Sequence, residues 1–151
     1  MLALLLAAAA AASICGLEIR GAPGDAGLAR LELQSDQQFS LRYTHSVTLR
    51  AVESRYEIRG GHIVQTAEVF DQHGPGMATE PLAGERFDTE RDDRGVRYVL
   101  TMQRPIERLV VRVHRLPAQT LLVGDQSYEL LRFGERAVEV KPTCDTRKAN
   151  Q

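Results

Sequence analysis

The sequence predicts an all-β fold: an antiparallel β-sandwich or a partly open barrel of short strands. From Phe39 to Leu49 every odd position is apolar or aromatic except His45, and every even position is polar. Gly60-Gly61 lies between two strand-like runs, the sign of a tight hairpin. No segment after residue 17 shows the 3.6-residue period of an amphipathic helix.

The elements follow in order. The glycines and proline of Gly21 to Gly27 (GAPGDAG) make a loop, and Leu28 to Leu33 a short strand. Phe39 to Leu49 reads as one strand with a buried face, which places His45 in the core-facing phase. The apolar phase then moves to even positions at Val52, Tyr56 and Ile58, implying a β-bulge or bend near Arg50-Ala51. A literal turn at Gly60-Gly61 pairs Ile58 with Ile63, Tyr56 with Gln65, Ser54 with Ala67 and Val52 with Val69. The other face pairs Glu53 with Glu68 and Arg55 with Thr66. His73-Gly74-Pro75-Gly76-Met77 is a loop. A second hairpin joins Glu85–Glu90 to Val96–Met102 around Asp92-Asp93-Arg94-Gly95. Leu109 to His114 is a strand, Gly124-Asp125 turns a third hairpin, and Ala137 to Lys141 is a last strand stopped by Pro142.

At 151 residues the chain has the length of one domain. Residues 1–16 read as a signal peptide or N-terminal membrane anchor, 17–142 as a single β domain and 143–151 as a polar C-terminal tail. Met1 to Leu17 carries no charged side chain, and Leu2 to Ala12 is only leucine and alanine. A cleaved signal, a retained anchor and lipid attachment at Cys15 each put the body outside the cytoplasm, so the expected location is periplasmic or envelope-associated. With net charge −1 and no tryptophan, the chain offers neither a basic patch nor stacking platforms, and nucleic acid is a poor partner. Cys15 and Cys144 form no CxxC pair, which excludes a zinc ribbon. They can close a disulfide if both survive export.

The chemistry-bearing residues allow several readings. His45 with Ser46 and Glu53 has the residue types of an acyl-transfer set, but adjacent strand residues point to opposite faces and no Gly-x-Ser-x-Gly elbow accompanies them. The blander alternative is a buried histidine held by a carboxylate or a backbone carbonyl. His45, His73 and Glu53 are conceivable zinc ligands, although His45, His62, His73 and His114 fit no metal spacing. Gly74-Pro75-Gly76 can grip a ligand through bare backbone or be a plain turn.

The run Phe39-Ser-Leu-Arg-Tyr-Thr-His45-Ser46-Val47, then Val52-Glu53, the hairpin, Phe70 and Gly74-x-Gly76, resembles domain-of-unknown-function family eighteen-fifty. Leu121-Leu-Val-Gly124 and Tyr128-Glu-Leu-Leu131 also fit, so the likeness runs over roughly residues 17–141. It implies that His45, Ser46, Glu53, Gly74 and Gly76 are signature positions; Pro75 stands where a small residue is more usual. It further implies a small exported protein associated with TAXI-type tripartite ATP-independent periplasmic transporters, and brings no activity and no cofactor. The expectation is a non-catalytic accessory or binding module. Its partner would be a membrane transporter or its solute receptor, with a small organic anion near His45, Glu53 orienting the imidazole and the Gly74-x-Gly76 loop covering it. The alternatives are a small metal-dependent or His/Glu-based hydrolase and a structural envelope domain.

Overall fold

The computed structural model describes residues 14–24, 26–93, 95–115 and 118–145. The fold is all-β, built from two antiparallel sheets that do not close into a barrel. The smaller sheet has the order β2-β1-β11-β8, from β1 (Ile14–Gly21), β2 (Gly27–Glu32), β8 (Leu109–Arg112) and β11 (Ala137–Asp145). The larger has the order β10-β9-β3-β4-β5-β7-β6. Its strands are β3 (Gln38–Thr44), β4 (Ala51–Arg59), β5 (His62–Phe70), β6 (Arg86–Asp92), β7 (Gly95–Ile106), β9 (Thr120–Val123) and β10 (Gln126–Glu129). A short 3₁₀ turn, Leu130–Phe133, leads from β10 towards β11. Leu17, Ile19, Val138 and Val140 of the small sheet meet Phe39, Leu41, Tyr56, Ile58 and Leu121 of the large one in a shared core. Burial of these alternating side chains holds the sheets together.

The Gly60-Gly61 hairpin forms as expected, with both glycines at positive φ (56° and 80°) as a two-residue turn requires. Ile58 faces Ile63 and Tyr56 faces Gln65. The register then shifts between Arg55 and Tyr56, so Ser54 faces Glu68, Val52 faces Phe70, Glu53 faces Val69 and Arg55 faces Ala67. The expected Glu53–Glu68 pairing is therefore wrong. A bulge sends the two carboxylates to opposite faces of the sheet and avoids opposed like charges.

The strand expected over Phe39 to Leu49 ends at Thr44, and residues 45–50 turn the chain into β4. Apolar Val47 and Leu49 imitate a continuing strand but are 64% and 71% exposed. Pro142 does not stop the last strand: β11 runs through it, with Leu17 opposite Pro142. Pairing with β8 ends at Val140, so beyond that point one edge of β11 is open and tolerates a missing N–H. Thr143, Cys144 and Asp145 thus belong to β11 rather than to a polar tail. Residues 146–151 and most of the expected leader, residues 1–13, lie outside the described residues, while residues 14–16 belong to β1. Cys15 stands opposite Cys144 with Cα atoms 4.0 Å apart, and the two sulfurs are bonded.

Candidate functional site

The turn after β3 is organised by one imidazole. His45 N–H donates to the Arg50 carbonyl (2.8 Å), and Leu49 N–H donates back to the His45 carbonyl (2.9 Å), closing a four-residue loop over residues 46–49. Inside it, the N–H groups of Val47 and Thr48 both donate to His45 Nδ1, at 3.2 and 3.3 Å. A nitrogen that accepts twice carries no proton, so the ring proton sits on Nε2. Nε2–H donates to the Pro75 carbonyl at 3.2 Å. Both ring nitrogens are therefore committed to backbone, in the manner of a cap.

The loop containing Gly74-Pro75-Gly76 seals this arrangement. Only a glycine at 74 admits the ring: a β-carbon there would lie 2.7 Å from His45 Cε1 and 2.9 Å from Nε2. Gly76 has a positive φ of 84°. Nearby, Arg50 Nε donates to both Asp71 oxygens, at 3.2 and 3.0 Å, and its Nη2 donates to Oδ2, tying the end of the turn to the start of the same loop. Leu49 sits in the left-handed region (φ 56°), a position that favours glycine or asparagine.

Of the expected site residues, His45, Ser46, Gly74 and Gly76 gather at this joint. Glu53 and His73 do not join them. Glu53 shares a face with Arg42, Val69 and Val99, away from Tyr43 and Glu68. There it accepts from Arg42 (3.0 Å) and Arg55 (3.2 Å). Burial alone would raise its carboxyl, but these guanidinium bonds hold it below the ordinary carboxylate range. Arg55 continues to Glu90 (3.1 Å), and Arg97 bridges Glu90 (3.4 Å) and Asp92 (3.1 Å). This lattice of alternating charge overlies the small apolar cluster Ala67, Val69 and Val99. His73 packs with Phe70, Tyr98 and Phe87, its ring centroid 4.9, 5.0 and 6.0 Å from theirs. Among the described residues no group of three or more His, Cys, Asp or Glu is placed to hold a metal.

A second carboxylate near the joint, after Asp71, is Glu68. It accepts from the Tyr43 hydroxyl at 3.5 Å. Burial raises its carboxyl, against the pull of the Arg104 charge and the Tyr43 hydrogen bond. Burial, then the Glu68 and Tyr56 charges, push the Tyr43 phenol up to about 12.

Beside the joint a cleft of about 370 Å³ opens at the end of the sandwich, between β3 with the start of its turn and the residues Val111, His114 and Gln119. Leu41, Tyr43, Thr44, His45 and Ser46 line one wall, and Val111, His114 and Gln119 the other. Gln119 is only 8% exposed, and its Oε1 accepts from His114 N–H at 3.0 Å. Sequence reasoning missed His114 and Gln119 as cleft residues, because His114 follows β8 of the smaller sheet and Gln119 precedes β9, both far in sequence from β3. The only local signal was an isolated glutamine before a strand, which carries no periodicity.

These features define a sandwich-like all-β domain with a histidine-clamped turn and a cleft at one end. The model of the family described as Domain of unknown function (DUF1850) matches residues 39–130, more than half of the chain. The protein belongs to that family. No curated protein and no solved structure matches it.

Proposed function

We propose that this domain is a non-catalytic, exported accessory module of a tripartite solute transporter, and that it docks through the turn of residues 46–49. The observation that carries this is Leu49. A leucine in the left-handed region costs about 1 kcal/mol relative to glycine, and this one recovers nothing by burial, being 71% exposed. Val47, 64% exposed, is its companion on the same turn. Strain and exposed apolar surface, held rigid by a neutral imidazole, suit a preformed knob for an apolar pocket on another protein. A membrane surface is the weaker match. Arg50, the cation of the turn, is tied to Asp71, and the chain has no tryptophan for an interfacial anchor.

Of the transporter's components, the solute receptor is the better placed partner. β1 begins at the pole opposite the turn: Gly21, at its far end, faces Val138, beside the start of β11 and the end of β8. An N-terminal anchor would therefore aim the knob away from the bilayer.

The test is the affinity of the intact protein for the purified solute receptor of its transporter. Leu49→Asn, which suits a left-handed position, should weaken that affinity about tenfold or more, the value of one buried leucine side chain. Its melting temperature should hold or rise. Unchanged affinity in Leu49→Asn, or absence of binding to either receptor or membrane subunit, would contradict docking by this turn.

A further inference from the structure

We propose that the cleft at the end of the sandwich is a binding site for the carboxylate of a small organic acid, with the Gln119 amide as its central donor. The inference rests on reading the domain as a binding module, but not on the docking turn. Gln119 is more than nine-tenths buried, and its orientation is fixed, because Oε1 accepts the His114 N–H. That turns Nε2, with its donor hydrogens, the other way. Among the described residues Nε2 has no acceptor, and the cleft is the space that Gln119 lines. An amide whose donor hydrogens stay open to solvent at the cleft can give them to an acceptor oxygen of a bound ligand.

The rest of the lining fits the same ligand. Thr44, Ser46 and His114 add polar residues to the walls, while Leu41 and Val111 offer apolar surface for a short hydrocarbon body. His45 contributes shape only, since both its nitrogens are engaged by backbone. A volume of about 370 Å³ is at the small end of ligand pockets, which favours a metabolite over a peptide. The cleft is open to solvent, so a carboxylate there keeps part of its hydration and needs no fully buried counter-charge.

Calorimetric titration of the intact protein with acetate, pyruvate, lactate, succinate and glutamate tests this, with the matching amides as uncharged controls. At least one acid should bind at millimolar concentration or below, more tightly than its amide. Gln119→Glu keeps the acceptor for His114 N–H and replaces the donor amide by a like charge. It should retain the melting temperature and bind that acid at least tenfold more weakly. If Gln119→Glu fails to fold, Ser46→Ala and His114→Ala together supply the same comparison from the cleft rim. No binding by any of these acids, equal binding of acid and amide, or undiminished affinity in the variants would overturn the proposal. Leu49→Asn should leave acid binding intact and Gln119→Glu should leave receptor docking intact, so the two ideas fail separately.

Discussion

Gly74 and His45 occupy each other's space. The glycine backbone lies so close to the imidazole edge that any β-carbon at 74 would lie 2.7 Å from His45 Cε1. The loop after β5 and the turn after β3 are thereby locked as one unit, with the Nε2–H bond to the Pro75 carbonyl as the second fastening.

Gly74→Ala should therefore push the loop off the ring. Overpacking of this kind costs about 1–3 kcal/mol. Chemical denaturation should show that loss, and proteolysis should cut first within residues 71–85.

Substitution of His45 should separate its roles. His45→Ala removes the acceptor for the Val47 and Thr48 N–H groups and the donor to Pro75, at a cost of about 1–3 kcal/mol. His45→Asn places an amide oxygen where Nδ1 stood, so it should recover part of that stability without the link to Pro75. Equal unfolding midpoints for the alanine and asparagine variants would show that the cap contributes nothing.

The carboxylates of Glu53 and Glu68 should shift stability with pH in opposite directions. The folded Glu53 carboxyl is lowered, so its contribution is present above the ordinary carboxylate range and is lost as pH falls through its folded value. Glu53→Gln should cost about 2 kcal/mol at neutral pH and little in strong acid. The folded Glu68 carboxyl is raised, so stability declines as pH climbs from the ordinary range through the folded value. Glu68→Gln keeps an acceptor for Tyr43 and should raise the melting temperature at neutral pH, with the difference from wild type vanishing in acid. Melting curves across pH check both signs.

Reduction of the Cys15–Cys144 bond should also be visible. The bond spans a sequence separation of 129 and ties β1 to β11, the central pair of the small sheet. Its loss should destabilise the domain by about 2–5 kcal/mol, measurable by denaturation with and without reductant.

The sequence carried most of the fold because most strands obey local rules. Gly60, Gly61 and Gly124 supply positive φ between alternating runs, and both hairpins formed. It misled where apolar side chains are exposed: Val47 and Leu49 continue the period of β3 although the backbone has already turned. The bulge at Thr66 left no local mark, since either register buries an apolar face, and the open edge that tolerates Pro142 depends on where β8 ends. His45 and the loop through Gly74 were legible as distinctive. Their relation was not, because it spans 30 residues of sequence and rests on backbone groups. Glu53 was credited to His45 through chain proximity, whereas the pleat sends it to the arginine lattice.

The most direct test of the clamp is the protonation pattern of the His45 ring, read by long-range proton–nitrogen correlation NMR on the folded protein at neutral pH. A neutral ring with the proton on Nε2 and a bare Nδ1 accepting from the turn is the pattern expected. A proton on Nδ1, or a ring exchanging freely between tautomers, would contradict the clamp and with it the rigid presentation of Val47 and Leu49.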